Sequence, residues 1–329
     1  MKVLVTGGCG FIGSHLVDRF LEEKHQVTVL DNFSTGRPEN LAHQKGNKNL
    51  CLIRQDITDF NGINQCFKDV EAVVHLAALA DIVPSIVNPS EYYKSNVAGT
   101  YSVVEAARVS GVKRFIYAAS SSCYGIPDIY PTPETAEIRP QYPYALTKRL
   151  AEEIVLHWGR VYKLPVVSLR LFNVYGLRSR TSGTYGAVFG VFLAQKLAGK
   201  PFTVVGDGEQ KRDFTYVSDV VEAFFEAVNS EVKNEIFNVG SGNPQSVNTL
   251  IFLLKGEKTY IPKRPGEPDS THADISKIRS KLGWSPKISF EQGVSKIVQN
   301  IDYWRDAPVW TPETIEKATK DWFRYLSKE

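Results

Sequence analysis

Of the 15 tyrosines in this 329-residue chain, only Tyr144 is followed four positions later by a lysine, Lys148. On a helix that spacing puts a phenol and an ammonium on one face. An unperturbed phenol titrates near pH ~10 and is a poor base at neutrality, but a nearby cation favours the phenolate. Ahead of the pair, Ser120-Ser121-Ser122 follows the apolar run Phe115-Ile116-Tyr117-Ala118-Ala119. A serine at the carboxyl end of a strand can share a hydrogen bond with a substrate hydroxyl that the tyrosine deprotonates. Serines after a strand are also common turn formers, and a Tyr/Lys pair can be a solvated helix face. Neither motif decides alone; their order along the chain does. A third feature is Gly8-x-Gly10-x-x-Gly13, between a strand-like run and a helical one. Glycines there allow a tight turn and close backbone approach to a pyrophosphate, with the helix N-terminus facing the anion. Asp31 closes the next strand-like run about twenty residues on, where a carboxylate accepts from ribose hydroxyls and repels a 2′-phosphate. Together these features predict a dinucleotide site that prefers NAD to NADP, with Arg37 nearby pulling the other way.

The elements that must position these groups alternate. Strand-like runs at 2–6, 26–30, 50–53, 71–75, 113–119 and 165–170 are separated by helical stretches at 11–23, 60–67, 89–109 and 143–162. That rhythm predicts an α/β fold, a doubly wound parallel-sheet Rossmann domain over residues 1–170 with a return segment near 213–240. Beyond 170, short pieces alternate with Gly/Pro-rich turns such as Gly206-Asp207-Gly208 and Gly240-Ser241-Gly242. They predict a smaller, irregular α/β substrate-binding region, 171–329, facing the carboxyl ends of the strands across a cleft. From about 305 a C-terminal helical extension is expected, capped by Thr311 with Pro312 in its first turn and Ile315, Trp322, Phe323 and Leu326 along it. Its expected role is packing, on the domain or a subunit partner, rather than chemistry.

Composition narrows the function classes. With 43% hydrophobic and 23% charged residues the chain is globular, and a net charge of +3 without a basic block argues against a nucleic-acid groove. Cys9, Cys51, Cys66 and Cys123 form no CxxC pattern, so neither a metal site nor a disulfide framework is expected. No signal-peptide pattern and no apolar run of ~18 residues is present, which predicts a soluble, cytoplasmic protein with no membrane partner.

Over residues 1–305 the ordered motifs resemble those of the extended short-chain dehydrogenases/reductases, in the branch of NAD-dependent nucleotide-sugar epimerases and dehydratases. The resemblance rests on Thr6–His15, Asp31-Asn32, Asp56-Ile57, His75-Leu76-Ala77-Ala78, Ser120–Ser122 with Tyr124-Gly125, and Tyr144/Lys148. It continues through Arg170–Gly176, Arg212–Val217 and Arg264–Glu267. It implies that Gly7, Gly10, Phe11, Ile12 and Gly13 form the phosphate loop and that Asp31 and Asn32 meet the adenosine ribose. Asp56 and Ile57 would flank adenine, and Leu76, Ala77, Ala78, Asn96, Tyr144 and Lys148 would lie along the cofactor. Ser120, Tyr144 and Lys148 are the implied catalytic set. Asn173, Arg212 and Arg264 match diphosphate contacts and Glu267 a nucleotide-ribose contact, with Ser85, Ser121 and Ser122 near the sugar.

Within that family, 4,6-dehydratases carry Thr, Asp and Glu where Ser120, Ser121 and Ser122 stand, and decarboxylases tend to carry Glu at 122. The triple serine cannot serve the elimination and resembles 4-epimerases of UDP-sugars, acting through a 4-keto intermediate. A 4-dehydrogenase or 4-ketoreductase, sharing the same Ser/Tyr/Lys set, is the rival reading; a non-catalytic NAD-sensing regulator is a remote one. Two departures bear on the sugar. Pro84 stands where relatives often have arginine, beside an unusual carboxylate, Asp81. Thr271 replaces a bulky tyrosine of hexose-only relatives, which predicts room for an N-acetyl group unless it is a loop residue facing water. Residues 247–256 are shorter than the usual helix, which predicts looser order in part of the second region. The stretches 89–109 and 143–162 are those the family pairs into a homodimer interface, and Val97, Val103, Val104 and Ala107 suit that interface or the core equally.

Overall fold

The computed structural model describes residues 1–179 and 185–327. Six strands form where the apolar runs place them: β1 (Lys2–Thr6), β2 (Gln26–Asp31), β3 (Leu50–Arg54), β4 (Ala72–His75), β5 (Arg114–Ser120) and β6 (Val166–Leu171). A seventh, β7 (Glu235–Val239), returns to the same sheet. All pair in parallel in the order β7-β6-β5-β4-β1-β2-β3. The strands read as near-continuous apolar runs because both faces of the sheet are covered.

The long helices around the sheet are α1 (Phe11–Glu22), α2 (Gly99–Val109), α3 (Pro143–Tyr162) and α4 (Val217–Asn229). On one face, Leu16, Val17 and Phe20 of α1 meet Val220, Phe224 and Ala227 of α4 beneath Val3, Val5, Val27 and Val29. On the other, Val103, Val104 and Ala107 of α2 and Ala151 and Val155 of α3 lie against Leu4, Leu30, Phe115 and Tyr117. The fold is therefore a doubly wound, Rossmann-like α/β sheet. Val97, Val103, Val104 and Ala107 are core residues, none more than 7% exposed. Strand order reverses between β1 and β4, and such a reversal opens a crevice at the carboxyl ends where ligands bind.

Beyond β6 the chain builds small pairs rather than a second sheet. Asn173–Tyr175 pairs with Phe214–Tyr216, Phe202–Val205 with Lys258–Ile261, and Lys211–Arg212 with Gln245–Ser246. Stacked rings fill the space between them, with Tyr175 and Phe189 centroids 4.6 Å apart and Phe214 and Phe290 5.1 Å apart. Where looser order was expected, Val247–Leu254 is a helix that buries Val247, Leu250, Ile251 and Leu254. The C-terminal helix, α5 (Pro312–Leu326), begins with a capping box between Thr311 and Thr314 and buries Ile315, Thr319 and Trp322 on one side.

One charged cluster fixes how α3 lies on the sheet. Glu152 and Arg170 are 1% and 2% exposed and joined at 2.8 Å. Ser168 donates to the same carboxylate at 2.7 Å, and Arg149, nearer the surface, pairs with it at 2.7 Å. Arg170 also donates to the Tyr124 hydroxyl at 2.8 Å, which donates in turn to Asn238 at 2.7 Å. Helix α3, β6, the turn after β5 and β7 are thereby tied together. Removing one member of such a buried pair costs about 3–5 kcal/mol, because the charge left behind is uncompensated.

Candidate functional site

The glycine loop lies at the crevice. Gly7 takes a left-handed φ of +70°, Gly10 donates to the Gly7 carbonyl at 3.0 Å, and α1 starts at Phe11. A Cβ on Gly13 would lie 2.2 Å from the Gly7 carbonyl oxygen, and one on Gly7 2.8 Å from the Ala77 nitrogen. Only glycines let the loop fold this tightly under the helix N-terminus, a cradle that fits a pyrophosphate. Asp31 accepts from the Cys9 and Phe33 amides at 2.9 and 2.8 Å, while burial pushes its carboxyl above the usual range against those bonds. Asn32 donates to Asp56 at 2.9 Å. Burial raises the Asp56 carboxyl, but the Thr58 amide and hydroxyl, Asn32 and Lys94 outweigh it, so its pKa is lowered overall.

The loop after β4 is braced from below. His75, fully buried, is hydrogen-bonded to Thr6 at 2.6 Å and Thr100 at 2.9 Å; burial, helped by the charge on Lys148, pulls it down to about 3. It is neutral at physiological pH, and Thr6 also accepts from the Ala77 amide at 3.2 Å. Asn96 lies in a π-helical turn, Tyr93–Ala98, a distortion that often marks functional sites. Its amide clasps both backbone groups of Leu79, at 2.8 and 3.0 Å, and donates to Thr147 of α3 at 3.1 Å.

Tyr144 lies in the first turn of α3 and lines the cleft together with Ser120 at the end of β5. Burial pushes its phenol above the ordinary value; the neighbouring Ser120 hydroxyl pulls it down, and the charge on Asp81 pushes it up again. Ser120 shares a bond with the Ser122 hydroxyl at 2.8 Å and accepts from the Ser122 amide at 3.2 Å. The Lys148 ammonium lies over the Tyr117 ring, 4.4 Å from its centroid. Burial pulls Lys148 down to about 7, opposed by Glu152 one helical turn on. The simple expectation that Lys148 sets the phenol's acidity is thus modified: burial dominates both groups.

At the far end, Glu267 bridges Arg264 at 3.0 Å and Arg212 at 3.4 Å. Arg264 also donates to the Tyr185 hydroxyl. Thr271 donates to Asn173 at 2.9 Å and accepts from the Asp213 amide at 2.9 Å, so it braces Asn173 as well as lining the cleft. Asp213, fully buried, gathers the amides of Ser241, Gly242 and Ala273.

A cleft of about 830 Å³ runs between these ends. It brings together Gly7, Gly10, Phe11, Ile12, Gly13, Asp31, Asn32, Ile57, Leu76, Ala77, Ala78, Ser120, Ser121, Ser122, Tyr144, Lys148, Asn173, Arg212, Arg264, Glu267 and Thr271. Three anticipated residues do not line it. Asn96 is spent on Leu79 and Thr147. The Asp56 carboxylate is held by Asn32 and Thr58, leaving Gln55 and Ile57 at the wall. Ser85, fully buried, donates to the Ile82 carbonyl of its own helix at 2.6 Å. Sequence reasoning missed Tyr142, Tyr185, Trp310 and Trp322, which do line the cleft. Among the described residues no helix is long and apolar enough to cross a membrane, and no group of three His, Cys, Asp or Glu could hold a metal ion.

Known proteins are similar to this chain in sequence and in fold. The model of the NAD dependent epimerase/dehydratase family matches residues 3–240. A putative UDP-glucose 4-epimerase of Methanocaldococcus jannaschii is 38% identical over 303 residues, 90% of this chain and 97% of the relative. The structure of UDP-glucose 4-epimerase from Thermotoga maritima with UDP-glucose superposes with a TM-score of 0.86 at 37% identity, covering 93% of this chain and 99% of that one. UDP-glucuronic acid 4-epimerase from Bacillus cereus, in complex with UDP-glucuronic acid and NAD, gives 0.85 at 32% identity, covering 92% and 99%.

The buried Lys148 makes a pH prediction. Its pKa is 10.5 in the unfolded chain and about 7 in the fold. Between those values the unfolded chain binds a proton that the folded chain lacks, so stability rises with pH across this window. Below pH 7 the burial penalty is fully present. Lys148→Met is therefore expected to unfold at higher urea than wild type at pH 6, by roughly 2–4 kcal/mol, with the gap shrinking by pH 9. A gap that does not change with pH contradicts this placement of Lys148.

Proposed function

The chain belongs to the NAD dependent epimerase/dehydratase family, and we propose that within it the protein is a UDP-sugar 4-epimerase. The observation that carries this reading is the meeting of Ser120, Tyr144 and Lys148 in one cleft, with Ser121 and Ser122 lining it where the resembled dehydratases and decarboxylases carry acids. The loop of Gly7, Gly10 and Gly13, with Asp31 at the ribose, is the set that would hold NAD. Bound there, NAD supplies a reversible hydride acceptor, so oxidation at C4 and re-reduction from the other face leave no net redox change. Tyr144 takes the proton of the 4-hydroxyl, Ser120 bridges the two oxygens, and Lys148, one turn on along α3, lines the cleft beside them. On re-reduction the same phenol returns the proton.

Residues 1–170 with the return segment 213–240 hold the cofactor in this scheme, and 171–329 hold the nucleotide sugar. Arg212 and Arg264 suit the diphosphate because a guanidinium fork matches phosphate oxygens. The small Thr271 supports use of N-acetylhexosamines as well as hexoses. A homodimer is part of the proposal. Tyr101 of α2 and Leu146 and Leu150 of α3 are 46%, 46% and 38% exposed on adjoining helices. A second copy can cover that face by two-fold symmetry, each patch meeting its twin.

Tyr144→Phe is expected to keep its NAD and to interconvert UDP-glucose with UDP-galactose, followed by NMR, at least about a hundredfold more slowly. A near wild-type rate, or stoichiometric NADH accumulation by the wild type, contradicts the epimerase reading. Light scattering should give twice the chain mass for wild type and a single chain mass for Leu146→Glu/Leu150→Glu; a monomeric wild type removes the dimer.

A further inference from the structure

The C-terminal helix was expected only to pack, and it does pack, against the short helix Ile82–Val87 that carries Pro84. It also reaches the cleft. Ala307, Pro308, Trp310 and Trp322 all line it, from a stretch beyond the motifs of the family. The Trp322 indole N–H donates to the Pro265 carbonyl at 2.7 Å, in the turn that bears Arg264 and Glu267. Its ring is 5.4 Å from the Arg264 guanidinium, which lies 4.7 Å from the Tyr185 ring as well. Trp310 packs edge-on against Tyr185 at 5.3 Å, and its carbonyl accepts from fully buried Gln195 at 2.8 Å. On its other side Trp322 meets Tyr142 at 6.2 Å, and Tyr142 stacks on Tyr144 at 6.5 Å with the rings 5° from parallel.

We propose that residues 307–326 complete the substrate site: Trp322 is a positioning residue that holds Arg264 for the diphosphate of a nucleoside diphosphate sugar and walls the sugar pocket. The proposal rests on the nucleotide-sugar reading above. A guanidinium with four freely rotating stem bonds loses side-chain entropy when it grips a phosphate. Rings of Tyr185 and Trp322 around Arg264, and Glu267 on its edge, impose that order before the ligand arrives. The hydrogen bond to Pro265 fixes the turn itself, so one indole orders both the side chain and its backbone. The wall also gives Tyr142, the ring stacked on Tyr144, a neighbour at 6.2 Å.

The test uses the full-length holoenzyme with UDP as the probe. Calorimetry is expected to show UDP binding weakened about tenfold in Trp322→Ala, with KM for the UDP-sugar raised similarly, kcat within a few-fold and bound NAD unchanged. Trp322→Phe keeps a ring beside Arg264 but loses the bond to Pro265, and should fall between the two. UDP should also quench tryptophan emission in the wild type, with most of that quench absent in Trp322→Phe; this readout stands even where the alanine variant fails to fold. Equal UDP affinity in wild type and Trp322→Phe, with the quench intact, overturns the proposal. Wild type that binds UDP but epimerises no sugar refutes the functional reading and leaves the arm standing; wild type that binds no UDP refutes both.

Discussion

Glu152 and Arg170 meet at 2.8 Å in the interior, almost wholly removed from water, and α3 reaches the cleft along the line they set. That helix carries Tyr144 in its first turn and Lys148 one turn later. A helix is stiff enough that pinning its middle fixes both ends, so the phenol's distance to Ser120 depends on a charge pair two turns away. Because Arg170 also holds Tyr124 and, through it, Asn238, the turn after β5 is fixed by the same guanidinium. Ser120 and Tyr144, which share the cleft, thus both hang from one buried cluster. Its charge also reaches Lys148, where Glu152 opposes a burial that otherwise favours the neutral amine.

A second constraint comes from the sheet. Parallel strands need crossover helices on both faces, and the reversal of order at β1 and β4 leaves a crevice that nothing in the sheet can fill. Gly7 approaches Ala77 there more closely than any side chain would permit, and the Thr6–His75–Thr100 chain supports that contact from beneath. The far wall is built differently, from short paired segments tied together by Asp213 and from two arginines that share one carboxylate. A glycine loop braced from beneath at one end and a charged frame at the other fit the proposed epimerase, which would retain one ligand while a sugar turns beside it.

Much of this was legible from local spacing. The glycine pattern, Asp31 at a strand end, serines after β5 and the Tyr144/Lys148 interval are short-range signals, and each lies in the cleft. Long-range partners were not legible. Glu152 and Arg170 are 18 residues apart on a helix and a strand, and no spacing rule joins them. Ser85 and Asn96 show the converse: a motif position does not say which way a side chain turns, and both are held by other groups of the chain, Ser85 by the Ile82 carbonyl and Asn96 by Leu79 and Thr147. Trp322 was hidden for a third reason. Its periodicity with Ile315 announces a buried face, but where α5 docks is decided by contacts with Pro265, Tyr142 and the helix after Asp81, none of them near in sequence.

In the proposed reaction, hydrogen leaves C4 and returns to C4 within one active site, without net oxidation. The direct measurement is mass and NMR analysis of product from UDP-glucose deuterated at C4, incubated with the holoenzyme in ordinary water. The expected product is UDP-galactose with the deuterium kept at C4 and no solvent hydrogen in its place, while NADH absorbance stays at its starting level. Loss of the label, or a keto sugar or decarboxylated pentose as the main product, would contradict it.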